Sequence, residues 1–117
     1  MNNDNDLRVL VRTPEFDEYY NAQQRRVQEK FDYVISLLIS QYVISEKFVK
    51  KLENSDLYEM RVSVGGNEHR TIIFAVDNVN FIESTQAILL NSFLKKDTKQ
   101  YRREVKKANE ILKRYTL

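Results

Sequence analysis

Two arginines flank a glycine turn in the middle of the sequence. Arg61 and Arg70 stand on either side of Gly65-Gly66 in the stretch LYEMRVSVGGNEHRTIIFAVDN, which covers residues 57–78. The alternating apolar side chains on both sides of the glycines predict a β-hairpin, because a tight turn needs residues that tolerate positive φ. A hairpin places the two guanidinium groups on neighbouring strands. Since a guanidinium binds phosphate through two parallel hydrogen bonds, the pair predicts an anion site, with a phosphodiester as a fitting ligand.

Lys95 and Lys96 extend this predicted cationic site. They follow the run AILLNSFL, which predicts a further strand from about Gln86 to Leu94. In an antiparallel meander of three strands, the end of the last strand lies near Arg70 at the start of the middle one. Several cations at one end of a sheet repel each other unless an anion lies among them. The predicted centre of the site is Arg61, Arg70, Lys95 and Lys96.

Each of these residues also has a purely structural interpretation. Arg61 can pair with Glu59, Glu68 or a helix carboxylate, and Arg70 can extend to solvent from the end of its strand. The two lysines also fit a solvated strand exit. His69, beside the turn, fits an ordinary surface histidine better than a catalytic one.

The composition argues against several other kinds of site. The chain has no cysteine, which excludes disulfides and thiolate metal sites, and its one histidine argues against zinc. Its two glycines both lie in the turn, so no glycine-rich phosphate loop is present. We predict no metal and no cofactor. With no long apolar run and no signal peptide pattern, we expect a cytoplasmic protein with no membrane partner.

The net charge of +2 is unevenly distributed. Residues 1–60 have a balance of −3 and residues 61–117 a balance of +5, with most of the excess between Lys95 and Arg114. Such a cluster favours a nucleic acid partner, although a solvated helix face rich in lysine explains it equally well. The basic residues that we predict to bind RNA, together with His69, are Lys99, Arg102, Arg103 and Lys106.

The first half of the chain predicts one strand and two helices within a single domain of residues 1–117. Residues 1–5 are polar, and we expect them to be disordered. LRVLVRT, residues 7–13, predicts a strand, and Thr13-Pro14-Glu15 predicts the start of a long helix. A break near residues 41–45 is followed by a second, short helix that Ser45 would cap. Its inward residues would be Phe48, Val49 and Leu52.

The second half predicts a three-stranded meander and a closing helix. The strands begin at about Leu57, His69 and Gln86, and the middle one is apolar on both faces, so it should be central. The helix begins after Asp97 or Thr98 and is amphipathic and basic. The predicted class is α+β, in the order β-α-α-β-β-β-α, with a mostly antiparallel sheet and a helical hairpin packed on it. The apolar stripe of the last helix is Tyr101, Val105, Ala108, Leu112 and Tyr115.

Four motifs in this order resemble the RelE/HigB-type toxin superfamily, and most closely its phage-related HigB-like branch. They are Leu57-Tyr58-Glu59-Met60-Arg61, His69-Arg70, Phe93-Leu94-Lys95-Lys96 and the basic helix around Ala108. Each motif is weak alone, but four with this order and spacing are moderately specific. The predicted order of elements also agrees with the RelE-like fold.

The resemblance implies the toxin of a type II toxin–antitoxin system. Such toxins are mRNA interferases, endoribonucleases that cleave mRNA on the ribosome without a metal, and a cognate antitoxin neutralises them. The RNA 2′-hydroxyl attacks the adjacent phosphodiester, so fixed cations would stabilise the developing charge. Arg61 and Arg70 would stabilise the phosphate, and Lys95 and Lys96 would bind the backbone, one of them assisting proton transfer.

One departure from the family pattern leaves alternatives open. Asn91-Ser92 stands where relatives often have His-Gly, and an asparagine side chain is neither an acid nor a base. A non-catalytic RNA- or ribosome-binding protein is therefore an alternative, as is an interaction protein of a phage or mobile element. The helical hairpin could bind the antitoxin or a second copy, which makes a dimer or a heterotetramer with antitoxin conceivable.

Overall fold

A computed structural model describes residues 6–115 and shows a five-stranded sheet with helices on both faces. The strands are β1 (Val9–Arg12), β2 (Val49–Lys51), β3 (Tyr58–Val64), β4 (Asn67–Ala75) and β5 (Gln86–Leu94). Their order in the sheet is β1-β5-β4-β3-β2. Only β1 and β5 run parallel, and the other neighbours are antiparallel. The predicted α+β class, the meander and the central position of β4 are confirmed.

Three helices cover the sheet. Helices α1 (Pro14–Asn21) and α2 (Arg25–Ser40) pack on one face, and α3 (Lys99–Leu112) packs on the other. Thr13 caps α1 as predicted, because its hydroxyl oxygen accepts a hydrogen bond from the Phe16 N–H at 3.0 Å. A short 3₁₀ helix, Phe81–Glu83, precedes β5. Within residues 6–115 no helix has the length and apolar character that crossing a membrane requires.

The predicted long first helix is two helices. The chain turns at residues 22–24, and the turn folds α2 back so that the Phe31 ring contacts the rings of Phe16, Tyr19 and Tyr20. In one straight helix Phe16 and Phe31 would lie about 22 Å apart along the axis, whereas their ring centroids are 6.0 Å apart. Aromatic packing therefore requires the break, which the continuous apolar stripe concealed.

The predicted short helix after Ser45 is wrong. The Ser45 side chain accepts a hydrogen bond from Lys47 N–H within a turn, and the chain then forms strand β2. Val49 pairs with Met60, which gives β3 a neighbour on its outer side. An apolar run this short fits either element locally, and the free edge of β3 decides the outcome. The observed order therefore has one more strand than predicted. The expected disorder of residues 1–5 falls outside the described residues.

A buried arginine joins three distant segments on the α1–α2 side. Arg8 is 2% exposed, and its guanidinium donates hydrogen bonds to backbone carbonyl oxygens at the end of α2 and in the 3₁₀ helix. It also lies over the Phe81 ring, 4.7 Å from the centroid. Burial lowers the pKa of Arg8. The accepting residues are Leu38, Gln41, Tyr42, Phe81 and Ile82.

We expect Arg8→Met to lower the free energy of unfolding by about 3 kcal/mol, because it leaves several buried carbonyl groups without donors. Urea denaturation monitored by circular dichroism measures the change. Arg25, whose side chain is 91% exposed, provides the matched control. Arg25→Met should change stability by less than about 0.5 kcal/mol. Equal stability of the two variants would contradict a stabilising role for Arg8.

Candidate functional site

The β3–β4 hairpin brings Arg61 and Arg70 side by side. Gly65 and Gly66, with φ of 57° and 84°, form the turn, and Arg61 is the direct cross-strand partner of Arg70. Arg70 in turn lies opposite Phe93 on β5. Directly opposed residues point to the same face of a sheet, and Phe93 packs with α3. Both guanidinium groups therefore lie on the face that α3 covers.

Glu59 lies between the two arginines and the last helix. Its Oε2 is 3.1 Å from Arg70 Nε and 3.6 Å from Arg61 Nε, and it accepts a hydrogen bond from the Tyr101 hydroxyl at 2.9 Å. Glu59 is only 4% exposed. A buried charge is tolerated when it is paired, so this arrangement satisfies the carboxylate while leaving the group of two arginines and one acid cationic.

The two arginines differ in how far their side chains are exposed to solvent and to a ligand. The Arg61 side chain is 27% exposed, whereas that of Arg70 is 5% exposed and lies within 3.6 Å of a second carboxylate, Glu68. The ion pair of Arg61 with Glu59, which is its predicted structural alternative, is thus present, whereas Glu68 pairs with Arg70. Arg70 does not extend to solvent, and its two carboxylate partners neutralise its charge far more than that of Arg61 is neutralised. Arg61 can still contact a ligand, and Arg70 supports the carboxylate beside it.

A pocket of about 720 Å³ opens between the β2–β3 edge of the sheet and α3. Within residues 6–115, five cationic and two acidic residues line it, so its surroundings favour an anion. Tyr101, Thr98 and Val105 of α3 form part of the opposite wall. The cationic residues are Lys50, Lys51, Arg61, Lys95 and Arg102, and the acidic ones are Glu53 and Glu59.

Local hydrogen bonds fix the start of α3 beside the pocket. Asp97 accepts from the Gln100 N–H at 3.1 Å, while the Gln100 side chain accepts from Asp97 N–H and donates to the Leu94 carbonyl. Of the two predicted capping residues, Asp97 makes this bond, and Thr98 makes no side-chain cap. The helix start is therefore held to the end of β5, which places the Tyr101 ring 5.3 Å from that of Phe93.

Tyr101 presents a neutral hydroxyl inside the pocket. Burial raises its pKa, and the adjacent Glu59 carboxylate raises it further. At neutral pH the phenol therefore keeps its proton, which it donates to the Glu59 carboxylate. The cations can bind a phosphodiester, and the carboxylate that this donor holds in place can move a proton.

Comparison with known proteins shows the family of the chain and a related fold. Residues 18–113 match the family described as "Phage derived protein Gp49-like (DUF891)". The chain belongs to this family. Its fold is similar to that of a free-state double arginine-to-alanine mutant of the E. coli toxin RelE, with a TM-score of 0.60. That match covers 86% of this chain and 96% of the RelE chain at 14% identity, so it shows a shared fold. No curated protein matches the sequence.

The predicted RelE-like fold is confirmed, and the chain belongs to the phage-derived Gp49-like family. Apart from His69, the predicted site residues divide into three groups. Arg61, Lys95 and Arg102 line the pocket. Arg70 is buried behind it. The others are exposed and lie outside its lining; they are Lys96, Lys99, Arg103 and Lys106.

His69 lies on the other face of the sheet from this site. It is cross-strand partner to Val62, which packs with α2, and its Nδ1 is hydrogen-bonded to the Tyr19 hydroxyl at 2.8 Å. Alternation along β4 explains the placement, since Arg70 and His69 are consecutive and point in opposite directions. The structure therefore corrects the expectation that His69 lies with the RNA-binding residues. Burial lowers the pKa of His69 and raises that of Tyr19 to about 12.

Two lysines of the pocket are absent from the predicted site, and two other residues have larger roles than predicted. Lys50 and Lys51 fall within the predicted short helix, whereas Lys50 lies in β2 and is the cross-strand partner of Glu59 in β3. The positive charge of these two lysines and their adjacent positions in the sequence were the available signals for a binding site. Only the pairing of β2 with β3 shows at which edge of the sheet they lie. Tyr101 was interpreted as a packing residue, and Glu59 only as a possible partner of Arg61. Both contribute directly to the pocket.

Asn91, at the position of the family histidine, does not line the cationic pocket. It is 1% exposed, and its side-chain amide donates to the Glu104 carboxylate and to the Glu104 backbone oxygen at 3.0 and 3.1 Å. These bonds tie β5 to α3. Within residues 6–115, no three His, Cys, Asp or Glu side chains are grouped as a metal site would require.

We expect the free energy of unfolding to decrease as the pH falls below about 6.5, the ordinary pKa of histidine. Because the pKa of folded His69 is lower, the unfolded chain takes up its proton first, and stability is lost down to the folded pKa. Urea denaturation at several pH values measures this. His69→Phe keeps a ring against Tyr19 and Phe31. In this variant the part of the pH dependence that comes from His69 should disappear. Identical pH profiles would show that His69 titrates normally.

Proposed function

We propose that this Gp49-like protein is the toxin of a type II toxin–antitoxin system and cleaves mRNA bound to the ribosome, without a metal. The observation that carries the proposal is the convergence of Arg61, Lys95 and Arg102 on one pocket that also contains the paired Glu59 and Tyr101. The RelE-like fold and the family match support it.

The pocket offers a phosphodiester cations from three parts of the fold. Arg61 on β3, Lys95 just after β5 and Arg102 on α3 all line it. Charge that develops on the phosphate oxygens during attack is best stabilised by cations already fixed in place. Arg61 meets this condition because its Nε lies 3.6 Å from the Glu59 carboxylate, which holds the guanidinium in place.

The reaction follows from these groups. The RNA 2′-hydroxyl attacks the adjacent phosphorus, forming the P–O2′ bond while the P–O5′ bond breaks. Glu59 accepts the proton of the 2′-hydroxyl, and the Lys95 ammonium supplies a proton to the departing 5′-oxygen. The products are a 2′,3′-cyclic phosphate and a 5′-hydroxyl. Arg70 is a positioning residue in this scheme, because it contacts Glu59 and not the pocket.

The exposed basic side of α3 would guide the RNA. Lys99, Arg103 and Lys106 lie outside the pocket on the same helix that carries Arg102. Contacts of this kind bind the backbone of RNA without reading its sequence. A cognate antitoxin is the expected protein partner, and a cytoplasmic location follows from a ribosomal substrate.

A non-catalytic RNA-binding protein on the same fold is the second candidate. It is favoured by the ion pairing of Glu59, which competes with its use as a proton acceptor. It also agrees with the structural position of Asn91, whose amide is committed to Glu104. The two candidates share the same RNA contacts and differ only in whether the backbone is cut.

We expect Arg61→Ala to reduce RNA cleavage by about 10²-fold, the usual loss when a group that stabilises the transition state is removed. Expression in bacteria should cause growth arrest and mRNA cuts at defined sites with the wild type but not with Arg61→Ala. Arg61→Lys keeps a charge and should recover part of the activity. Arg25→Ala, on the exposed side of α2, is the control that should behave as wild type.

If wild type and Arg61→Ala are equally harmless and neither cuts RNA, the enzyme is ruled out in favour of the binding protein. Single-turnover cleavage of a defined RNA on purified ribosomes provides the direct measurement.

RNA affinity should fall steeply as salt increases, because Lys and Arg side chains displace counterions from the phosphates. We expect Arg103→Ala and Lys106→Ala to weaken binding similarly for all sequences and each to reduce the salt slope by about 1. Fluorescence anisotropy with short RNAs of different sequence measures both effects. A salt slope unaffected by either change would exclude the outer side of α3 from RNA binding.

A further inference from the structure

The cationic pocket has a second end with different chemistry. Arg61 and Lys95 belong to the end near the start of α3, where Thr98 also lines the wall. Val105 lies about one helical turn further along α3, about 6 Å from Tyr101 along the axis. There it faces the connection between β2 and β3. This second end is lined by Leu52, Glu53, Asn54 and Ser55 together with Val105.

Two apolar side chains form part of the wall at this end. Leu52 is buried and belongs to the same core cluster as Val105, which is partly buried against it. Both residues also line the pocket, so each presents apolar surface to whatever enters. Flat, largely apolar groups such as nucleobases fit walls of this kind better than phosphates do. The 720 Å³ volume is in the range of sites that hold whole small ligands.

The connecting loop is fixed and presents polar groups. Leu52 N–H donates to the Leu57 carbonyl at 3.0 Å, and Leu57 N–H donates to the Ser55 hydroxyl at 2.9 Å, which closes the loop. At its tip Asn54 has φ of 55°, which makes it the one non-glycine residue with positive φ within residues 6–115. Strained backbone of this kind concentrates at functional sites, and asparagine adopts it most readily.

We propose that this end is a nucleobase subsite in which Asn54 reads a base with an exocyclic amino group, adenine above all. The proposal rests on the proposed function, because it takes the phosphate of the same nucleotide to occupy the Arg61 end. An asparagine amide can donate to N7 and accept from N6 of adenine at the same time. Glu53 is a further acceptor for an amino group and a poor neighbour for the carbonyl edge of uracil.

The charge differs between the two ends. Lys51 and Glu53 both line the pocket beside the base end and offset each other, whereas Arg61 and Lys95 at the other end are both cations. Glu59 and Tyr101 lie between the two ends, where the ribose that carries the departing 5′-oxygen would sit. A single nucleotide bound in this orientation places its base, sugar and phosphate each beside groups of matching chemistry. The reverse orientation would place the phosphate against Glu53.

Titration of the wild-type protein with three small ligands tests the subsite without requiring cleavage. The ligands are 5′-AMP, 5′-UMP and ribose 5-phosphate, and binding is measured by calorimetry and by NMR shifts of the Asn54 and Val105 amides. We expect AMP to bind about tenfold more tightly than UMP, as one bidentate base contact allows. Ribose 5-phosphate should bind weakly and leave the Asn54 amide unshifted.

Asn54→Gly isolates the side chain, because glycine adopts positive φ freely and the loop keeps its conformation. AMP affinity should fall to that of UMP, while ribose 5-phosphate binding stays unchanged. Asn21→Gly, the same substitution at the exposed end of α1, should keep the AMP preference.

The outcomes distinguish a failure of the base subsite from a failure of the proposed function. Equal binding of all three ligands, or an AMP preference that survives in Asn54→Gly, overturns the base subsite and leaves the phosphate end in place. A preference for UMP overturns the amino-base assignment. Absence of any binding, including ribose 5-phosphate, overturns the phosphate end and with it the proposed function.

Discussion

The structure depends on one shared carboxylate. Glu59 of β3 contacts Arg61 on its own strand, Arg70 on the next strand and Tyr101 on the last helix. Without that acid, two adjacent guanidinium groups would repel each other at a site from which water is largely excluded. With it, three elements are tied together and a positive balance remains. Stability and ligand chemistry thus come from the same group, which explains how arginines occur inside a sheet.

The opposite face of the sheet solves a similar problem without an acid. Arg8 there is satisfied by backbone carbonyl groups, and His69 by the Tyr19 hydroxyl. These partners are neutral, so the buried groups are held in place but present no charge to a ligand. The face beneath α3 combines buried charge with an opening to solvent, since Glu59 is buried and also lines the pocket. This asymmetry is why the proposed chemistry belongs to that face.

Much of the second half of the chain could be predicted because its signals are local. The glycine turn, the period of two around Arg61 and the basic amphipathic helix led to the correct strands, the meander and α3. The first half was harder, since β2 forms only because β3 offers it a free edge. Lys50 therefore could not be assigned to the pocket from sequence. His69 was misplaced for a simpler reason: neighbours in a strand face opposite ways, and spacing along the chain does not reveal which face is open.

Helix α3 combines three tasks by using three sides. Ala108, fully buried, lets one side approach the sheet closely, and this approach brings Tyr101 within reach of Glu59. A second side contributes Arg102 to the pocket, and a third keeps Arg103 in solvent. The charges that would attract a long polyanion are therefore separate from those that would contact the reacting phosphate. Substitution on the outer side can then change affinity while the buried pairing, and the geometry of the pocket, stay intact.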